Sequence, residues 1–200
     1  MLNGYSAKTP QHLLLDSGKL YYGFESPASL GTPIGATRGG STFTYTPELK
    51  DIGFDGAPGK VMGMKRIVGA TVTLDVNLLE VTPDILKLAT PGLGAADYPA
   101  SPAGTKSHDL LTASLAIASS EYKNIALVAE VNGKTGSAIV VIKNALANSP
   151  LGISCTEKEE GVIAITFEGH FDGSDLTEVP FEIYMPVDID VDEDDDDNTE

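Results

Sequence analysis

Two segments carry the residue types and spacing of ligand-binding loops. Gly35-Ala36-Thr37-Arg38-Gly39-Gly40-Ser41-Thr42 places glycines at the separation of a phosphate-cradling loop and closes on Ser and Thr. It lacks the Lys that must reach the phosphates, and it runs into a strand pattern where that chemistry requires a helix N-terminus. A flexible hinge is expected there, not a nucleotide site. Asp188-Ile189-Asp190-Val191-Asp192 has the spacing of a calcium loop, but Glu193 stands where the loop needs Gly and Thr199 where it needs a bidentate Glu. Only weak, nonspecific cation binding is expected of it. His12, His108 and His170 fall in separate segments with no metal-ligand spacing, and none accompanies a Ser or Cys nucleophile motif. Cys155 is the single cysteine, which excludes an intramolecular disulfide and a multi-cysteine zinc site; in a strand-like stretch it reads as a small buried thiol. No residue pattern points to catalysis, a cofactor or a metal, and a non-enzymatic role is expected.

Composition narrows the classes further. Two hundred residues with 42% hydrophobic side chains make one ordinary domain with room for extended arms. No apolar run approaches the roughly 18 residues that span a bilayer, so no membrane insertion is expected. The first residues show no basic segment followed by an apolar stretch and cleavage site, so the protein is expected to stay in the cytoplasm where it is made. Net charge is −16, and nine of the 29 acids lie between Asp188 and Glu200, a stretch with no Lys or Arg. The rest of the chain holds 20 acids against 13 bases. Nucleic-acid binders neutralise phosphate with clustered bases, and this chain does the reverse.

The elements that position these residues are read from periodicity. Residues 1–40 are rich in Gly and Pro and suggest an extended arm with a short strand or two, Leu13-Leu14-Leu15 followed by Leu20-Tyr21-Tyr22. From Ser41 to Pro47, Thr42, Thr44 and Thr46 alternate with Phe43 and Tyr45, a half-buried strand. After turns at Asp55-Gly56 and Pro58-Gly59, the stretch Gly63–Val81 sets Val68, Ala70, Val72, Leu74, Val76 and Leu78 against Thr71, Thr73, Asp75 and Asn77, a long strand with one wet side. Thr82-Pro83-Asp84 supplies an N-cap, a first-turn Pro and a first-turn acid. That predicts a short helix, Pro83 to Ala89, ended by Pro91-Gly92. Residues 91–107 read as a surface loop. Strands follow over 110–118, 124–131 and 137–146, the last two joined by Asn132-Gly133, the strongest hairpin signal. Strands over 153–157 and 162–171 are expected to form a hairpin through Glu159-Glu160-Gly161, and a last strand covers 181–187. The class is mainly β with one short α-helix, a sandwich or partly rolled sheet. The domain spans 41–187, and 188–200 is a self-repelling acidic tail, expected to be disordered and solvated.

Taken together, several pieces resemble the major tail tube proteins of long-tailed bacteriophages. They are Gly35-Ala-Thr-Arg-Gly-Gly-Ser-Thr-Phe-Thr, Asp51-Ile-Gly-Phe-Asp-Gly-Ala-Pro-Gly-Lys60, Gly63-Met-Lys-Arg-Ile67, and the long strand that ends Leu-Leu-Glu-Val-Thr82-Pro83 before the helix. The resemblance covers about residues 11–90 well and the rest more loosely. It implies a virion tail protein assembled in the host cytoplasm, related to the inner tubes of type VI secretion. Hexameric rings would pool strands from each subunit into one β-barrel around a channel and stack head to tail, with DNA passing through. Partners implied are further copies of the chain and tail tip, tape-measure and terminator proteins. Thr71, Thr73, Asp75, Asn77, Glu168 and His170 become lumen candidates, neutral or acidic so that a polyanion slides past. The other reading of these residues is the solvent face of a monomeric β-sandwich binding module, an adhesin or carbohydrate-binding domain. Against it, Trp is absent and the Phe and Tyr spacing offers no stacking platform.

Overall fold

The computed structural model describes residues 6, 9, 13–96, 108–132, 134, 136–153, 157–158 and 160–187. His12, Cys155, Gly133 and the acidic stretch 188–200 lie outside the described residues. The elements run β1 (Leu14–Tyr22), β2 (Thr32–Pro33), β3 (Thr37–Asp51), β4 (Lys65–Leu78), α1 (Pro83–Ala89), β5 (Leu93–Ala96), β6 (Leu110–Ala113), β7 (Lys123–Val131), β8 (Ser137–Ala147), β9 (Ile163–Glu168) and β10 (Phe181–Tyr184), with a 3-10 turn at Ser119–Glu121. The class is mainly β with one short α-helix, as the periodicity implied. All described strand pairings are antiparallel.

Two sheets share one strand. β2, β1, β7 and β8 pair in that order, and β10 adds to β8 opposite Ile139–Ile142. Further along, Leu146 and Ala147 pair with Glu168 and Phe167 of β9, which pairs with β4, which pairs with β3. β8 therefore leaves one sheet and enters the other. Between its two sets of partners Asn144 sits at φ 48°, the left-handed region that Asn tolerates better than most residues. Its N–H donates to Asn124 Oδ1 at 3.1 Å and its Nδ2 to the His170 carbonyl at 3.3 Å, so the bend is held from both sides.

The inner faces of the two sheets meet in the main core: Leu20 and Ile34, then Val72, Leu74, Val76 and Leu78 of β4, Ile125, Ile142, and Ile163, Ile165 and Phe167 of β9, while Phe24, Ala126, Ile139 and Val141 form a second cluster. Phe181 of β10 reaches across to Phe43 and Tyr45 of β3, with ring centroids 5.5 and 4.9 Å apart. The helix forms where its caps require. Thr82 Oγ1 accepts from the Ile85 N–H at 3.3 Å, Pro83 opens the first turn, and Ile85 and Ala89 are buried. Seven residues make a helix too short to persist alone, so burial against the sheets sustains it. Glu121 ties the following loops down: its carboxylate accepts from the N–H groups of Gly92 at 2.6 Å and Ala118 at 2.8 Å.

Several sequence expectations change. The segment read as an arm supplies β1, which lies inside the sheet between β2 and β7. Leu20, Phe24 and Ile34 are buried, so the domain begins by Leu14 and not at 41. Part of the expected 91–107 loop is β5, paired with β6, and β6 ends at Ala113. Ile153 and Glu157 are not in strands. The flank of β9 that they would need is taken by Ala147, by the Asn148 N–H on the Thr166 carbonyl and by Ser149 Oγ, which accepts from the Thr166 N–H. Among the described residues no helix is long and apolar enough to cross a membrane.

Replacing Asn144 by Ala keeps the left-handed backbone and removes the side-chain bonds that hold it, and is expected to cost on the order of 2 kcal/mol in chemical denaturation, of which Asn144→Gly recovers roughly half. Gly92 and Ala118 hold the Glu121 carboxyl below the ordinary glutamate pKa by donating to it. Stability from this contact is therefore present above the unfolded value of about 4.3 and is lost as pH falls through the lower folded value. Glu121→Gln should flatten the acid limb of a melting-temperature versus pH curve.

Candidate functional site

The long strand β4 builds the most distinctive surface of the molecule. Its period of two sends Val72, Leu74, Val76 and Leu78 into the core and leaves Thr71 and Asp75 exposed, with Thr73 and Asn77 half-buried. β3 extends this face on one side: Thr46 lies opposite Thr71, Thr44 opposite Thr73 and Thr42 opposite Asp75. β9 extends it on the other, with Glu168 opposite Thr73, Thr166 opposite Asp75 and Ala164 opposite Asn77. The result is a three-stranded polar field of hydroxyls, one amide and two carboxylates. Over Thr42–Thr46, Thr71–Asn77 and Ala164–Glu168 it contains no Lys or Arg.

Both carboxylates are held in place. Thr166 Oγ1 donates to Asp75 Oδ1 at 2.5 Å, and Asn148 Nδ2 donates to Glu168 Oε2. Each bond spends a hydroxyl or amide on an acid, so the field presents acceptors that are already oriented. Nothing described covers it. The outer edge of β3 is open as well, because β3 ends the strand order. From Ser41 to Thr46 that edge carries neither a charged side chain nor Pro, the devices with which soluble proteins blunt an edge.

Thr71, Thr73, Asp75, Asn77 and Glu168 are thus brought onto one face. His170 is not part of that cross-strand array. It lies past the end of β9, its Nδ1 within 3.2 Å of the Asn144 carbonyl and its ring edge-on to Tyr122 at 5.2 Å. Counting alternate residues from Glu168 placed it on the face, but the strand stops there, and Gly169 packs tightly, a Cβ on it falling 2.7 Å from Ile142. Thr42, Thr44, Thr46 and Thr166 belong to the field and were missed as site residues. Their alternation was visible in the sequence, whereas the cross-strand register that unites them was not.

The loop-like glycines also find a role. Gly39 and Gly40, both at φ +82°, fall where the β3–β4 register shifts between Thr37 and Ser41. They form a bulge that only residues without a Cβ adopt readily. The segment runs on as strand, with no helix N-terminus to hold a phosphate. Among the described residues no group of three or more His, Cys, Asp or Glu could hold a metal ion.

No family model matches this chain, and no curated protein matches it in sequence.

The field carries little of the fold's stability. Thr73→Ala should shift the denaturation free energy by less than about 0.5 kcal/mol, while Leu74→Ala, one residue along on the buried face, should cost about 2–5 kcal/mol. Equilibrium urea unfolding of the two variants measures the contrast.

Proposed function

We propose that this chain is a structural subunit, not an enzyme: a phage tail tube protein whose copies close into hexameric rings and stack around a channel for DNA. The reading rests on the resemblance of residues 11–90 and on one structural observation, the uncovered polar face of β3, β4 and β9 beside an open β3 edge. A strand edge without charge or Pro is a template for pairing with another chain. Closing such edges from copy to copy abolishes them, which is how barrels solve the problem. In that arrangement the apolar face of each copy stays on its own core, and the polar face turns inward to water.

The electrostatics of the field suit passage rather than binding. Protein contacts with DNA draw their affinity from bases that displace counterions. Each copy would instead offer Asp75, Glu168 and a row of hydroxyls. A polyanion moving past such a wall meets no cation to hold it. On this reading the other partners are tail tip, tape-measure and terminator proteins, and the site of action is the virion tail.

The purified protein should form sixfold rings or tubes in negative-stain images, with solution mass rising with concentration. A species that stays monomeric at every concentration, and also fails to polymerise on added tail tips, would sink the proposal and leave a monomeric sandwich-type binding module. A triple Thr42→Lys, Thr44→Lys, Thr46→Lys variant alters only exposed side chains. It should keep the wild-type melting temperature and lose ring closure. Asp75→Lys with Glu168→Lys should assemble and yet slow DNA ejection from virions that carry it.

A further inference from the structure

The sheet that joins β1, β7, β8 and β10 is apolar on both faces. An antiparallel sheet in a two-layer fold commonly turns one face to the core and the other to water. Here the outer face carries Tyr21, Ala126, Val128, Ile139, Val141 and Tyr184, and Phe24 and Leu30 pack on it. Both belong to a loop, residues 23–31, that is fixed in place. The Asn124 carbonyl accepts from the N–H groups of Gly23 at 2.8 Å and Phe24 at 3.2 Å, and Asn124 Nδ2 donates to the Phe24 carbonyl at 3.2 Å. The Phe24 ring lies 5.9 Å from that of Tyr184. At the base of the loop the chain passes so close to itself that a Cβ on Gly31 would fall 2.3 Å from the Tyr22 carbonyl oxygen.

The loop leaves part of the face open. On either side of Leu30 lies a hollow, one of about 410 Å³ reaching Lys19 and Tyr21 and one of about 470 Å³ reaching Ile139, Tyr184 and Met185. Leu30, Val128 and Ser137 line both, so the two form one trough. Its floor is a straight cross-strand row, because Lys19 pairs with Val128, Val128 with Ile139 and Ile139 with Tyr184. Three strand spacings make that row about 14 Å long. An uncovered apolar trough marks a contact.

Two stretches of the chain join the body beside it. Val187 lines the trough together with Gly136, and residues 188–200 continue from Val187. Leu13 stands at the same end of the sheet, its carbonyl accepting from the Asn132 N–H at 3.0 Å, and residues 1–12 lead into it. The stretch 188–200 holds nine acids and no base, and carboxylates resist burial among apolar side chains. The stretch 1–12 holds Met1, Leu2 and Tyr5, no acid, and Lys8 as its one Lys or Arg. Within it the Thr9 N–H donates to the Ser6 carbonyl at 2.9 Å and the Ser6 N–H to Thr9 Oγ1 at 2.8 Å, a turn that reverses the chain between 1–5 and 10–12. Five extended residues span about 17 Å, enough to cross the row.

We infer that residues 1–5 fold back over the outer face of their own copy and fill the trough, with Leu2 and Tyr5 against Leu30, Val128, Ile139 and Tyr184. The contact lies within one chain and uses neither the β3 edge nor the polar field, so it stands apart from the ring reading.

The test is disulfide trapping in the full chain with Cys155→Ser. Leu2→Cys with Ser137→Cys, which lines both hollows, should oxidise within one chain, read as loss of both free thiols in a species of monomer mass. A control pairing Leu2→Cys with Leu176→Cys, exposed elsewhere, should trap at least fivefold less. Mixing a Leu2→Cys chain with a Ser137→Cys chain should give no covalent dimer. As a second readout, Leu2→Asp with Tyr5→Asp should raise the fluorescence of the apolar dye anilinonaphthalene sulfonate at least threefold, while the far-ultraviolet spectrum shows the sheets intact. Trapping no stronger than the control, or covalent dimers in place of closed monomers, overturns the inference, and so does dye fluorescence indifferent to the two aspartates. Sixfold rings, present or absent, bear on the ring reading alone.

Discussion

Everything in this fold depends on one strand serving two sheets. On the edge away from β7, β8 gives Ile139–Ile142 to β10 and Leu146–Ala147 to β9. A straight strand would lay β9 and β10 end to end in one plane, with no enclosed volume. The left-handed backbone at Asn144, pinned by Asn124 and His170, turns β8 so that the sheets face each other. Lys143, beside the bend, pairs with Glu178 at 2.7 Å and with Glu182 at 2.5 Å, which ties the approach to β10 to the same corner. Hydrogen bonds from Lys143 to Glu178 and Glu182 raise the Lys143 pKa above the ordinary lysine value.

Once the sheets face each other, the polar field follows from parity. A strand alternates faces with a period of two, and slipping its register by one residue would turn Val72, Leu74, Val76 and Leu78 outward. Burying those four, each 2% exposed or less, therefore obliges Thr71, Thr73, Asp75 and Asn77 to point the other way. The field is held by the core beneath it and not by its own hydrogen bonds, which is why it can be chemically specialised at little cost to stability.

That division explains what was legible in the sequence. Local signals carried through: the Thr82-Pro83-Asp84 start and Pro91-Gly92 stop bracket the observed helix, and the alternation in β3 and, from Ala70 to Leu78, in β4 matches the observed burial, whereas Val68, read on the apolar face, is exposed. The failures are non-local. Leu14–Tyr22 looked like part of an arm because its neighbours are Gly and Pro, yet β7 recruits it over Leu14–Tyr22 against Ile125–Val131. The hairpin of 153–157 with 162–171 looked favourable in isolation, yet the described Ile153 and Glu157 are not in strands and β8 occupies that flank of β9. His170 has the right parity and the wrong neighbourhood, since the register ends two residues earlier. Competition for a strand edge is settled by three-dimensional partners, and no window of sequence contains it.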